Sequence, residues 1–212
     1  MGTQGSDHYF SSQPSTPMKR RPLNVVLAGE KRSLQTAGGI FSPDGVDKGT
    51  TILLSEAPPP STEGNLLDIG CGWGPIALTL ALRSPEATVY AVDVNERSLE
   101  LTTDNAKALG LANVHASTPE AVDPEIRFST IWSNPPIRVG KDELHAILLM
   151  WLPRLAHNGN AYLVVQKNLG SDSLQRWLTV ELEERFPEAG FKVVRDSTNK
   201  AFRILRVTRT QP

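Results

Sequence analysis

At 212 residues, with 39% hydrophobic and 21% charged side chains, the chain fits one ordinary globular domain and leaves little for a second. Lys plus Arg number 22 against 23 Asp plus Glu, so no whole-molecule charge draws in a polyanion; a nucleic acid would have to meet a local basic patch. The single cysteine, Cys71, excludes an internal disulfide and a cysteine-cluster metal site, and His8, His115, His145 and His157 show no metal spacing, so no metal is expected.

The opening Met-Gly-Thr-Gln-Gly-Ser lacks the charged start and apolar stretch of a signal peptide. No apolar run approaches the roughly 18 residues that span a bilayer. A cytoplasmic protein with no membrane partner is expected. Residues 1–21, rich in Ser, Gln, Pro and Gly and ending in Lys19-Arg20-Arg21, read as a flexible segment, and 22–212 as a single domain.

In chain order, NVVLAG (24–29) and SLQTAGGIF (33–41) read as a hairpin, and 50–57 as a short helix stopped by Pro58-Pro59-Pro60. Strands are then expected at 65–69, 88–93, 114–117, 128–133 and 160–166, alternating with helices at 75–84, 96–109, 141–156 and 172–186. Compact apolar strands flanked by helices on both faces imply a buried, mostly parallel sheet. The last two strands, 191–196 and 201–208, are joined by four residues, too few for a parallel crossover, so they form an antiparallel hairpin. The expected fold is α/β: seven strands, mostly parallel, with one antiparallel strand near the C-terminus.

The strand NLLDI runs directly into Gly70-Cys71-Gly72-Trp73-Gly74-Pro75 and a helix. Glycines at a strand-to-helix turn allow a ligand to approach the backbone, and this turn lies at the strand edge where open α/β sheets bind ligands. A dinucleotide site needs Gly or Ala where Pro75 stands, so that fingerprint is spoiled. S-adenosylmethionine has no phosphate, and Asp68 beside its cationic amino group is useful where it would repel a pyrophosphate. At the end of the next strand, the Asp93 carboxylate in AVDVN can accept both ribose hydroxyls, with Val94 beside it, or else cap the following helix. Many enzymes that bind this cofactor carry an acid for the adenine amine after the third strand; here that position is Ser117, so adenine recognition is expected to rest more on backbone groups.

The fourth strand ends in Asn134-Pro135-Pro136-Ile137. An exocyclic or amide nitrogen is a poor nucleophile because its lone pair is delocalised. The Asn134 oxygen and the Pro135 carbonyl, stiffened by Pro136, can each accept one N–H and turn the lone pair towards a methyl donor. The same residues also suit a plain strand end and turn.

NLLDIGCGWGP, AVDVN and SNPPI in this order resemble class I methyltransferases, and GIFSPDGVDKGT (39–50) with NPPIRVGK resembles the "methyltransferase small" domain family. The resemblance covers roughly residues 22–209 and implies a Rossmann-like fold and S-adenosylmethionine as cofactor. Within that family it points to ribosomal small-subunit RNA guanine N2-methylation, hence to ribosomal RNA or the small subunit as partner. It places Asp68, Gly70, Cys71, Gly72, Gly74, Asp93, Val94, Ser117 and Asn134 at the cofactor, and Asn134 to Ile137 at the target amine. A flap from the N-terminal hairpin region (22–57), carrying Phe41, Asp47 and Gly49, would cover the cofactor or base. Ile137 stands where the family commonly has an aromatic, so stacking on a flipped base must come from elsewhere. Arg138 and Lys141 follow as phosphate contacts or as a solvated loop, and Lys19 to Arg21 with Lys192, Arg195, Lys200, Arg203, Arg206 and Arg209 as a basic edge or isolated charges. A protein glutamine amide or DNA adenine, or a non-catalytic cofactor-binding module, is the alternative.

Overall fold

A computed structural model describes residues 17–212. Of the segment expected to be flexible, residues 1–16 lie outside the described ones, but Arg20 and Arg21 already belong to the first strand. They are drawn in by ion pairs: Arg20 to Glu100 and Asp104 of a neighbouring helix, Arg21 to Asp44. Strands β1 (Arg20–Leu27) and β2 (Glu30–Ala37) form a separate antiparallel hairpin. Its two-residue turn has both Ala28 (φ 49°) and Gly29 (φ 84°) in the left-handed region, as a tightly twisted hairpin requires.

The main sheet contains β3 (Asn65–Ile69), β4 (Thr88–Val92), β5 (Val114–Ser117), β6 (Phe128–Ser133), β7 (Leu155–Gln166), β8 (Phe191–Asn199) and β9 (Phe202–Arg209). Their order is β5-β4-β3-β6-β7-β9-β8, and only β9 runs against the others. The expected seven-stranded sheet with one reversed C-terminal strand is therefore present. Alternation along each strand feeds two cores. Leu66 and Val89 face α1 (Lys48–Glu56) and α2 (Pro75–Arg83), whereas Leu67 and Ile131 face α4 (Lys141–Trp151) and α5 (Ser171–Arg185). Helix α3 (Glu96–Ala108) packs with the hairpin through Leu101, Leu27 and Leu34.

Two element boundaries shift. The helix expected to 156 stops at Trp151, because Pro153 tightens the next turn into a 3-10 helix, and β7 starts at Leu155 rather than 160. Trp73 is 1% exposed in the hairpin core. Trp177 is only half-buried and stacks on His145 at 3.3 Å between ring centroids. Among the described residues no helix is long and apolar enough to cross a membrane.

The order of the sheet places the ligand region. From β3 the chain moves outward to β4 and β5, then returns to the other side of β3 with β6 and β7. A crevice opens where the winding reverses, at the C-terminal ends of β3, β4 and β6.

Candidate active site

The turn after β3 is held from below. Gly70 and Cys71 N–H groups donate to the Val92 carbonyl (2.8 and 3.0 Å), and Gly72 N–H donates to Asp93 Oδ2 (3.0 Å). Thr102 Oγ1 donates to the Gly72 carbonyl (3.0 Å) and Asn105 Nδ2 to that of Trp73 (2.9 Å), so α3 carries the outer side of the loop. Gly74 sits at φ 100°, and a Cβ there would crowd Thr102 Oγ1 at 3.1 Å and Leu78 Cγ at 3.2 Å. Gly70, at φ 77°, faces open space instead. The glycines thus differ in purpose: one permits packing, the other leaves the cleft floor bare.

Two acids serve this turn. Asp68 is fully buried beneath it; Oδ2 accepts the Ala77 N–H (3.0 Å), Oδ1 has no partner, and burial pushes the carboxyl well above its ordinary range. Asp93 sits at the end of β4 with Oδ1 accepting the Asn95 N–H (2.9 Å), and burial raises its carboxyl as well. The helix cap is Asn95, whose side chain accepts the Arg97 N–H (3.0 Å), so Asp93 remains at the cleft wall.

At the end of β6, Asn134 is oriented by the flap. Its Nδ2 donates to Asp47 Oδ2 (2.9 Å) and to Thr50 Oγ1 (3.1 Å). The same Asp47 oxygen caps α1 by accepting the N–H groups of Gly49 (2.7 Å) and Thr50 (3.3 Å). A carboxylate accepts only, so the amide nitrogen must face Asp47 and the amide oxygen is left for another donor. A Cβ on Gly49 would meet Asp47 Oδ2 at 3.0 Å and Phe202 Cε1 at 3.1 Å, which explains a glycine in the first turn of α1. The Pro135 carbonyl accepts the Ile137 N–H at 2.8 Å across Pro136 (φ −76°, ψ 72°), an inverse γ-turn. That bond pins the carbonyl and leaves one lone pair open.

The loop before α1 is tied down on both flanks. Trp73 Nε1 donates to the Ser42 carbonyl (3.2 Å), Asn95 Nδ2 to that of Gly39 (2.9 Å) and Arg97 Nη1 to that of Gly38 (2.5 Å). This holds Phe41, 41% exposed, over the crevice mouth.

The crevice is a cleft of about 1010 Å³, adjoined by a niche of about 20 Å³ under the glycine turn. Of the residues singled out from sequence, Gly70, Asp93, Val94, Phe41, Asp47, Arg138 and Asn134 to Ile137 line the cleft, and Cys71 and Gly72 line the niche. Asp68, Gly49, Gly74, Ser117 and Lys141 line neither: the first three support the wall from behind, Ser117 offers its carbonyl to the Asp93 N–H (3.4 Å), and Lys141 opens α4 at the surface. Sequence reading missed Glu120, Met150, Gln166, Leu169 and Phe202, which also line the cleft. Glu120 stands three residues beyond Ser117 on a 3-10 turn, so an acid is available on the β5 side after all. Volume, the bare Gly70 floor, apolar Ile40 and Ile69, and carboxylates at Asp93 and Glu120 suit an adenosyl group carrying hydroxyls and an amine.

The "Methyltransferase small domain" family model matches residues 31–195. The chain belongs to that family. As a member of this methyltransferase family it takes S-adenosylmethionine as methyl donor. It is 36% identical over 186 residues to the protein YbxB of Bacillus subtilis (strain 168), covering 86% of this chain and 90% of that protein. It is 37% identical over 108 residues to ribosomal RNA small subunit methyltransferase C of Klebsiella pneumoniae, 51% of this chain and 31% of that protein. The fold is also similar, with a TM-score of 0.71 and 25% identity, to the T. thermophilus 16S rRNA N2 methyltransferase RsmC, solved with AdoMet and guanosine. That match covers 92% of this chain and 52% of the solved one, so the chain spans about half of that relative and under a third of the Klebsiella enzyme.

Proposed function

We propose that this methyltransferase acts on the exocyclic N2 amine of a guanine in small-subunit ribosomal RNA. The observation that carries the reading is the fixed orientation of Asn134, whose amide nitrogen is held by Asp47 and Thr50 while its oxygen is left for a donor beside the glycine turn. S-adenosylmethionine, when bound, supplies a methyl group activated by its sulfonium. The residues of the chain then have to present a nitrogen lone pair. Asn134 Oδ1 takes one N–H of the amine, and the open lone pair of the Pro135 carbonyl takes the other. With both hydrogens held, the nitrogen is drawn out of conjugation and its lone pair points across the cleft. Methyl transfer releases the thioether and leaves a cationic nitrogen that still carries both hydrogens; these are strongly acidic, so one leaves to water without a dedicated base. That fits a cleft lined by no histidine among the described residues. The likeness to an enzyme solved with guanosine, and to ribosomal RNA small subunit methyltransferases, supports guanine over other planar nitrogens.

The test incubates the chain with tritium-labelled S-adenosylmethionine and small ribosomal subunits or their naked RNA from cells lacking it, then digests the RNA to nucleosides. Label in N2-methylguanosine is expected. Label confined to methyladenosine, or to glutamine in ribosomal protein, would overturn the acceptor.

A further inference from the structure

The cations read from sequence as a basic edge or as isolated charges are mostly spoken for. Arg195 pairs with Asp172 and Arg206 with Asp196, while Arg203 and Arg209 donate to backbone carbonyls. Twelve of the fourteen arginines are bound in this way; among the described residues only Arg138 and Arg176 hold neither a carboxylate nor a carbonyl. Five exposed cations without such a partner gather instead around the cleft. Arg138 lines it, and Lys141 follows on the same side at the start of α4. At the end of the neighbouring strand, Lys167 leaves β7 next to the lining residue Gln166, and its N–H donates to the Ala201 carbonyl (2.6 Å), which brings the β8–β9 turn and Lys200 alongside. Lys48 adjoins Asp47 at the start of α1.

Inside this rim the sign reverses. Asp47, Asp93, Glu120 and Glu143 line the cleft, with Arg138 the sole cation among its lining residues. Such an interior repels phosphate and admits an uncharged base. Apolar surface is concentrated here too: of seven large hydrophobic side chains exposed in the described residues, Phe41, Val94, Met150 and Leu169 line the cleft.

We infer that the rim formed by Lys48, Arg138, Lys141, Lys167 and Lys200 is the docking surface for an unpaired RNA strand, whose phosphates ride the cations while one base enters the cleft. The exposed apolar side chains then meet the faces of neighbouring bases, which only an unpaired strand leaves accessible. Duplex RNA presents its phosphates but hides those faces. This deepens the guanine reading and rests on it.

The test is fluorescence anisotropy with a fluorescein-labelled single-stranded oligoribonucleotide containing one guanine, at several salt concentrations. Each phosphate contact on a single strand contributes about 0.7 to the slope of log affinity against log salt. Arg138→Gln/Lys141→Gln should lower the slope by about 1.4, and Lys48→Gln/Lys167→Gln/Lys200→Gln by about 2.1. Lys31→Gln/Lys107→Gln/Lys192→Gln, which removes unpartnered lysines away from the cleft, should leave it unchanged. Equal losses in that control, an unchanged slope in the rim variants, equal affinity for a duplex of the same sequence, or rim-dependent binding of labelled polyglutamate would each overturn the proposal. The readout is independent of the acceptor. Rim-dependent binding without guanine methylation would leave the rim standing and defeat the acceptor, and guanine methylation with indifferent rim variants would do the reverse.

Discussion

The turn after β3 and the strand end after β6 face the same cleft, yet they are built to opposite rules. In the first, backbone groups close on the protein itself: Gly70, Cys71 and Gly72 donate to Val92 and Asp93, and the carbonyls of Gly72 and Trp73 accept from α3. In the second, half of the polar capacity is spent and half is left open. Asn134 uses its amide nitrogen on Asp47 and Thr50, and the Pro135 carbonyl uses one lone pair on Ile137. A satisfied turn is a rigid wall; a half-satisfied strand end is a set of aimed acceptors. On the proposed reading, binding and chemistry fall on two neighbouring strands, and substitutions should separate them.

The largest effect is expected at the second region. Asn134→Ala removes the aimed oxygen and should lower kcat roughly 100- to 1000-fold while the affinity for S-adenosylmethionine, measured by calorimetry, stays near the wild-type value. A variant that lost cofactor affinity and kcat together would erase the distinction between the two regions. Next comes the flap. Asp47→Ala frees Asn134 to flip and removes the cap of α1, so kcat should fall roughly 10- to 100-fold and stability by about 1 kcal/mol. Asp47→Asn, whose oxygen can serve both roles, should restore most of both in parallel turnover and thermal-melt measurements.

The first region should answer differently. Gly70→Ala forces an L side chain to φ 77° and puts its methyl group into the cleft, at a strain of about 1–2 kcal/mol. Cofactor affinity should weaken roughly 10-fold with kcat at saturation little changed. The smallest effect concerns pH. Burial raises the Asp68 carboxyl well above its ordinary 3.8, so between 3.8 and the raised value the folded chain binds more protons than the unfolded one. Its contribution is fully present below 3.8 and is lost as pH rises through that window. Asp68→Asn should therefore give a melting temperature that declines less with rising pH than the wild type, as followed by calorimetric scans.

What could be read from sequence divides along the same line. The glycine turn was legible because its signal is local: a buried strand, alternating glycines and a proline at the first helical position lie within eleven residues. NPPI was legible as a motif, but the reason its amide points one way was not. Asp47 and Asn134 lie 87 positions apart, and only folding brings them together. Which of the two readings of the C-terminal cations applied was hidden for a similar reason, since Asp172 and Asp196, which neutralise Arg195 and Arg206, announce no pairing in sequence. Phe202 and Leu169 read as ordinary strand and loop residues, and only the reversed β9 and the turn after β7 carry them to the cleft.

A double-mutant cycle on kcat reaches the centre of the account. If Asp47 works by turning the Asn134 amide, Asp47→Ala added to Asn134→Ala should slow transfer no further, because the group it orients is already gone. Losses that multiply in the double variant would mean that the two side chains act separately, and that the orientation of Asn134 is not what the flap provides.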